Sequence, residues 1–171
     1  MAKEEVMTVE TPRMDITRIA PEAYKHLLGI GKEIEIHIDP KLHHLLKLRA
    51  SQINGCAFCL AMHTDEALRD GESPERLMLL DAWSESSKFT DKERSALAWI
   101  EELTLIADSG ASSEAFDGLK AHFSEDEIGW LTLVAVSINA WNRIAISSRV
   151  QYDRKLFEQH NPEATKTPEP A

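Results

Sequence analysis

The sequence predicts an all-α protein, a compact domain built from several helices. Apolar residues recur at helical spacing through most of the 171 residues, and capping residues or glycines separate the apolar segments. Ile34, Ile36 and Ile38 alternate as the residues of a β-strand do, but no second run in the chain offers them a partner strand. We therefore assign this run to the end of a helix.

Prolines and capping residues place the boundaries of the first helices. Pro21 suits the first position of a helix that continues through the alternating run. Asp39-Pro40 is typical of an N-cap followed by a first helical residue, and Asn54-Gly55 breaks the helix that begins there. The next helix is expected to open at this Asn-Gly pair and to run to about Asp70, where Gly71 ends it.

The second half of the chain shows the same signals. Ser73-Pro74 starts a short helix, and the segments Thr90–Glu93 and Ser124–Glu127 both fit the capping box that opens a helix. The helix that follows Thr90 is expected to continue through Ile106 and to end at Gly110. The helix that follows Ser124 is the most apolar of the chain.

Residues 21–155 form the predicted helical domain. Residues 1–20 lack periodicity, and we expect them to form an extended or poorly ordered arm that lies on a partner subunit. Residues 156–171 are polar and contain three prolines, which predicts a frayed C-terminal tail.

Composition limits the possible functions. The net charge of −10 and the pI near 5.2 disfavour nucleic acid and membrane surfaces as partners, since both attract basic proteins. The apolar stretch 128–150 contains Asn139, Asn142 and Arg143, and so favours a buried helix over a membrane span. The first ten residues lack the apolar core of a signal peptide, so we expect a cytoplasmic protein.

Both cysteines lie in one motif, Cys56-Ala57-Phe58-Cys59, with His63 four residues beyond it. On a helix these three positions share one face, and the two sulfurs lie close enough to form a disulfide. Backbone N–H groups at a helix start stabilise a thiolate, and His63 is placed to take the proton of Cys59. The spacing therefore predicts a thiol–disulfide redox site, with Cys59 as the nucleophile and Cys56 as the resolving thiol. Its apolar surroundings suit an organic substrate.

Two other interpretations of the motif stay open at this point. Free cysteine is among the most buried residue types, so the pair can be two structural thiols. Alternatively, Cys56, Cys59 and His63 can supply three zinc ligands, with His43 or His44 as the fourth. Three ligands on adjacent turns of one helix, however, give poor tetrahedral geometry.

The segment at 48–63, Leu-Arg-Ala-Ser-Gln-Ile-Asn-Gly-Cys-Ala-Phe-Cys-Leu-Ala-Met-His, resembles the signature of the alkylhydroperoxidase-D-like (AhpD-like) branch of the carboxymuconolactone decarboxylase superfamily. Weaker resemblance at residues 79–83, 96–99 and 138–143 extends it over most of the predicted domain. The resemblance implies an all-helical fold assembled as a homotrimer or homohexamer. It also implies an antioxidant peroxidase or disulfide reductase without a metal or organic cofactor. The implied partners are a small hydroperoxide and a dithiol or protein reductant.

The family's functional residues carry over by position. Cys59 matches the peroxidatic cysteine, Cys56 the resolving cysteine and His63 the proton-relay histidine. His44 stands where the best-known members carry a relay glutamate, twelve residues before the first cysteine, and we expect His44 to be a relay near the site. This departure motivates an alternative function, a non-catalytic redox sensor or binding protein that uses the thiol pair as a switch.

Several other residues carry expectations. His43 and His44 are neighbours on one helix, so one of them is expected to face solvent. Glu33 or Glu35 are candidates to supply a carboxylate in place of the family glutamate. Arg143 lies on the most apolar helix and, if buried, needs a carboxylate partner, for which a subunit interface is a candidate.

Overall fold

The structure, a computed structural model, describes residues 11–155 and Gln159. These residues form helices and loops and contain no β-strand, which confirms the predicted fold class. The helices are α1 (Ile16–Ile19), α2 (Pro21–His37), α3 (Pro40–Asn54), α4 (Ala57–Arg69), α5 (Pro74–Leu79), α6 (Asp91–Thr104), α7 (Ile106–Ser109), α8 (Ser113–Lys120) and α9 (Glu125–Ser148), with a 3-10 turn (Leu80–Ala82) after α5.

Helix α3 lies at the centre of the fold, because it packs against α4, α6 and α9. Its side chains Leu45, Leu46 and Leu48 are at most 3% exposed and join Leu97 and Leu131 in one hydrophobic core. Burial of each such side chain stabilises the fold by about 1.5–3 kcal/mol. The cysteine motif follows α3 directly, so the packing of this core also holds the start of α4 in place.

The predicted caps are present at the starts of the main helices. At the start of α3, Asp39 Oδ1 accepts the backbone N–H of Leu42 at 3.0 Å. The capping boxes that begin at Thr90 and Ser124 are both complete, so each satisfies backbone donors at the first turn of its helix. Ser73, in contrast, begins α5 without a side-chain hydrogen bond.

Two helix boundaries differ from the prediction. Helix α4 begins at Ala57 with Cys56 as its N-cap, rather than at the Asn-Gly pair, because α3 continues through Asn54 and Gly55 closes it with a φ of 67°. The helix after Thr90 does not run through Ile106, because Leu105 leaves helical geometry with a ψ of 30°. Helix α7 is therefore a separate single turn.

The two ends of the chain are described only in part. Residues 11–20 contain the one-turn helix α1, and Arg13 donates its backbone N–H to Ser148 O at 2.9 Å, so this part of the predicted arm lies against the end of α9. Residues 1–10 and the predicted tail, apart from Gln159, lie outside the described residues. Among those described, no helix has the length and apolar character needed to cross a membrane.

Candidate functional site

The two thiols meet at the start of α4. Both cysteines are reduced and only 1% exposed. The Cys56 sulfur caps the helix by accepting the backbone N–H of Cys59 at 3.3 Å. Ala145 of α9 and Phe58 pack against the pair. The structure therefore brings both predicted cysteines together at a helix N-terminus, where free N–H groups favour a thiolate.

This geometry makes the two thiols unequal. A hydrogen bond from the Cys59 thiol, assisted by backbone N–H groups of Cys59 and Phe58, lowers the pKa of Cys56 to about 7 against the effect of burial. The same bond raises the pKa of Cys59, because its proton is held between the two sulfurs, and burial raises it further. Near neutral pH the reduced pair thus contains the Cys56 thiolate and a Cys59 thiol that donates to it.

A buried amide on α9 also acts on both sulfurs. The Asn142 side chain is fully buried, and its hydrogen bonds lower the pKa of both cysteines. Asn142 Oδ1 accepts from Asn54 Nδ2 at 2.8 Å, and Asn142 Nδ2 donates to Ser51 Oγ at 3.0 Å. These two bonds fix the orientation of the amide. Sequence reasoning gave Asn142 no role at the thiols, although a polar residue on the most apolar helix is a signal for one.

His63 is bound to a carboxylate that sequence reasoning missed. His63 Nδ1 lies 2.7 Å from Glu66 Oε2, and Lys47 Nζ of α3 lies 3.3 Å from the same oxygen. Burial first, and then Lys47, lower the pKa of His63 to about 4, although Glu66 raises it. His63 is therefore neutral at pH 7. Its Nδ1–H donates to Glu66, which leaves the lone pair on Nε2 available as a base.

Glu66 supplies a negative charge next to the histidine. Burial raises the pKa of Glu66, but hydrogen bonds and charges from His63 and Lys47 outweigh burial and lower it. Glu66 is thus ionised at neutral pH. The signal in the sequence was the spacing of three residues between His63 and Glu66, which places the two side chains together on a helix.

Both His43 and His44 are buried, at 8% and 7% exposed, so the expectation that one of them faces solvent is wrong. Helix α3 is covered by α4, α6 and α9, which leaves neighbouring positions on it no solvent-facing side. Burial, and then the charge of Lys47, lower the pKa of His43 to about 2.

His44 is paired with the C-terminal end of α4. Its Nε2 lies 2.6 Å from Asp70 Oδ2, whereas its buried Nδ1 has no hydrogen-bond partner among the described residues. The charge of His44 lowers the pKa of His63, so the two histidines are near neighbours. That His44 acts as a relay at the site stays a prediction.

Three other candidates are exposed to solvent. Arg143 is exposed and donates to the backbone and side-chain oxygens of Asn139 at 2.9 Å, so it does not need the buried carboxylate partner that was considered for it. Its position on α9 faces away from the core. Glu33 and Glu35 are exposed on α2, and Glu33 lies 3.8 Å from His37.

A pocket of about 310 Å³ opens beside the motif. Its lining includes Cys56, Phe58, Ala145, Ile146 and Val150, but not Cys59. Within the described residues, no three His, Cys, Asp or Glu side chains are grouped closely enough to hold a metal ion. The zinc site considered from the sequence is therefore not preformed among these residues.

Comparison with known proteins places this chain. The model of the carboxymuconolactone decarboxylase family matches residues 21–102. The uncharacterized protein YdfG of Bacillus subtilis is 36% identical over 136 residues, which are 79% of this chain and 92% of YdfG. The chain belongs to the carboxymuconolactone decarboxylase family. A structural relative that is 40% identical to it places it in the AhpD-like branch.

Two solved structures show the relationship at the level of the fold. A protein of unknown function from Agrobacterium tumefaciens, for which a role as the antioxidant defence protein AhpD has been suggested, is 40% identical with a TM-score of 0.81. The match covers 84% of this chain and 99% of that one. The debrominase Bmp8 has the same fold at 22% identity and a TM-score of 0.69, over 81% of this chain and 75% of its own.

Proposed function

We propose that this protein is a thiol-dependent peroxidase that reduces organic hydroperoxides through a Cys56–Cys59 disulfide. The supporting observation is the pair of thiols at the start of α4, where Cys56 carries a lowered pKa and His63 stands neutral one turn beyond Cys59. The suggested antioxidant role of the Agrobacterium relative agrees with this chemistry.

In the oxidative step, Cys59, which matches the peroxidatic cysteine of the family by position, attacks the terminal oxygen of the hydroperoxide. Because the pKa of Cys59 is raised, a base must accept its proton as the S–O bond forms, and Nε2 of His63 is that base. The O–O bond breaks, and the leaving alkoxide takes the proton from His63 and departs as an alcohol. Cys59 becomes a sulfenic acid, so two electrons have passed from sulfur to the peroxide.

Cys56 then resolves the sulfenic acid. Its thiolate attacks the Cys59 sulfur, the S–S bond forms, and hydroxide leaves and becomes water on taking a proton. The lowered pKa of Cys56, about 7, keeps this thiolate populated at neutral pH. A dithiol or a reducing protein returns the two electrons and regenerates both thiols.

Glu66 and His44 support the proton transfers in this proposal. Glu66 accepts the Nδ1–H of His63 and supplies the carboxylate of the proton relay. In the best-known members, a glutamate at a different position in the sequence has this role. His44 relays the proton between His63 and the half-exposed Asp70. The His44→Gln variant is expected to turn over more slowly than wild type, with unchanged single-turnover disulfide formation.

The experiment is peroxide consumption by the purified protein with cumene hydroperoxide and a dithiol reductant. We expect turnover by the wild type and none by Cys59→Ser. Cys56→Ser should oxidise once, to a sulfenic acid that dimedone traps. Full turnover by Cys59→Ser would contradict the mechanism. If sulfenic acid forms in Cys59→Ser and not in Cys56→Ser, then Cys56 is the nucleophile and Cys59 is the resolving thiol.

We also propose that the chain forms a homotrimer or homohexamer. Large apolar side chains such as Ile36, Met78 and Val136 are 74%, 83% and 59% exposed in the single chain, and association would remove them from water. Sedimentation velocity measures the assembly directly, and a monomer at micromolar concentration would contradict this proposal.

A further inference from the structure

The segment that follows α9, residues 149–154, lies against α4, and we call it the strap. Arg149 ends α9 in a left-handed conformation with a φ of 56°, and Val150 donates its backbone N–H to Ala145 O at 3.3 Å. The chain therefore leaves α9 through a turn that is bonded to the helix itself. Beyond this turn, side chains of the strap contact α4.

Tyr152 joins the strap to two positions on α4. Its hydroxyl donates to Asp65 Oδ2 at 2.9 Å, and its ring meets the ring of Phe58 edge-on, with 5.7 Å between the centroids. Arg154 Nη1 lies 3.6 Å from Asp65 Oδ1. Phe58 and Asp65 have the spacing i and i+7, so they share one face of α4, and the strap lies along that face.

The Tyr152 hydroxyl is a donor at neutral pH. Burial, followed by the hydrogen bond to Asp65 and its charge, raises the pKa of Tyr152 to about 12. The hydroxyl thus keeps its proton, and the bond that it donates to an ionised carboxylate is of the stronger kind.

The strap also forms part of the pocket beside the thiols. Arg149, Val150 and Gln151 belong to the lining of this pocket together with Cys56 and Phe58. Both cysteines are only 1% exposed, so a reagent reaches their sulfurs when a neighbouring part of the chain moves.

Of the two sides of the pocket, the strap is the one that can move at low cost. The start of α4 follows α3 directly, and α3 is anchored in the hydrophobic core. The strap, in contrast, is exposed at Val150, Gln151, Asp153 and Arg154. Exposed segments with few buried apolar contacts open most easily.

We propose that the hydrogen bond between Tyr152 and Asp65 is a latch that holds the strap against the pocket, and that it sets the size of the molecules that reach the thiols. Small reagents pass the closed strap, whereas bulky ones enter when the latch opens and the strap moves away. Tyr152 is thus a specificity-determining residue that acts through the position of the strap. The inference rests on the proposed function only in taking the two thiols as the reacting groups.

The first test compares alkylation of the reduced protein by a small reagent, iodoacetamide, and a bulky one, N-(1-pyrenyl)maleimide. Both react with the thiolate, so the ratio of the two rates cancels a change in its pKa. Tyr152→Phe keeps the ring and deletes the hydroxyl. In this variant, the rate with the bulky reagent relative to the small one should rise about fivefold or more. A ratio equal to that of the wild type overturns the inference.

Tyr24→Phe is the matched control. It makes the same change at the other tyrosine of the chain, which lies on α2 with its ring centroid 5.1 Å from that of Trp141 and does not line the pocket. The ratio in this variant should equal that of the wild type. Equal rises in the two tyrosine variants would indicate a general loosening of the fold, and would overturn the role of the latch.

Asp65→Ala removes the acceptor of the latch. The ratio should rise at least as much as in Tyr152→Phe, because the ion pair with Arg154 is lost as well. In the Asp65→Ala background, Tyr152→Phe should add nothing, since the two residues act through one bond. A further rise in the double variant would show that the hydroxyl acts through a group other than Asp65, which overturns the latch as proposed.

Alkylation needs no peroxide, so this inference and the proposed function fail separately. A protein that shows the expected ratios without peroxide turnover keeps the latch and loses the peroxidase activity. A peroxidase whose ratios do not change in Tyr152→Phe keeps the disulfide cycle and loses the latch. If both hold, Tyr152→Phe should gain more in kcat/KM with cumene hydroperoxide than with hydrogen peroxide.

Discussion

Hydrogen bonds and charges from a few buried or partly buried side chains decide which protonation states occur at the site. Asn142 stabilises the negative charge on sulfur, and Glu66 selects the tautomer of His63. Lys47 compensates the charge of Glu66 and helps to keep His63 neutral. Each of these effects belongs to a single residue and can be removed singly.

Asn142→Asp is expected to raise the pKa of Cys56. The substitution keeps the shape of the side chain but replaces amide donors with a charge that repels the thiolate. The rise should be about one unit or more above the wild-type value. The measurement is the pH dependence of alkylation by iodoacetamide.

Asn139→Asp is the matched control for this prediction. Asn139 accepts from Asn54 in the same network at 2.9 Å, but it is not among the groups that shift the pKa of the cysteines. Its alkylation profile should stay close to wild type. Equal shifts in the two variants would show that the network, rather than Asn142, controls the thiolate.

Glu66→Gln should slow oxidation of Cys59 by peroxide about tenfold or more, because the ring of His63 loses a charged acceptor and becomes a weaker base. Single-turnover thiol loss on mixing with cumene hydroperoxide measures this step. Glu75→Gln, which removes an exposed ion pair with Lys88, is the control and should oxidise at the wild-type rate. Wild-type kinetics in Glu66→Gln would remove Glu66 from the mechanism.

At the scale of the elements, the junction between α3 and α4 positions the reactive sulfur. Gly55 ends α3 in a left-handed conformation, and the next residue, Cys56, caps α4. The chain thus turns from one helix into the next within two residues. This turn lets the core packing of α3 hold the cysteine at the helix start.

Gly55→Ala should lower the free energy of unfolding by about 1–2 kcal/mol. A Cβ there meets nothing within 4 Å, so the cost is that of the left-handed backbone alone. Gly118→Ala is the matched control: Gly118 lies inside α8 with equally open surroundings, and alanine should stabilise it by about 0.5–1 kcal/mol. Urea unfolding compares the two. A Gly55→Ala protein as stable as Gly118→Ala would contradict this account of the junction.

At the scale of the whole molecule, the fold buries neutral histidines in its centre. The pKa of His43, about 2, and that of His63, about 4, both lie below the ordinary value of 6.5. Below that value, the unfolded chain binds protons that the folded chain does not. On account of these two histidines, the free energy of unfolding should therefore fall as the pH drops below 6.5.

The expected loss between pH 6.5 and 5 is about 1.6 kcal/mol for each of the two histidines. The leucine of His43→Leu should keep the core filled. This variant should lose about half as much stability over this pH range as the wild type, because only His63 then contributes. Urea unfolding of both proteins at several pH values makes the comparison. An identical pH dependence in both would show that His43 is not buried neutral. Glu66 contributes little to the change over this range, because its lowered pKa stabilises the fold fully above the ordinary pKa of a carboxylate, 4.5, and this stability is lost only as the pH falls through that value.

Most of the helices could be predicted because their signals are local. The caps at Asp39, Thr90 and Ser124 join residues three positions apart, so the sequence alone reveals them. The same holds for the spacing of Cys56, Cys59 and His63. The exact start of α4 was not predicted, because the C-cap of α3, Gly55, and the N-cap of α4, Cys56, are adjacent, and the sequence pattern does not separate the two boundaries.

The sequence by itself determined the helical class, the family and the pair of thiols, since periodicity, capping and motif spacing all act over a few residues. Only the tertiary structure decided the environment of that pair. Asn142 reaches Ser51 from 91 positions away, and Lys47 reaches Glu66 from 19. Such contacts depend on how α9 and α4 pack on α3, which local patterns do not encode. Packing also buried both His43 and His44 and left Arg143 exposed, because it sets which face of each helix meets the core.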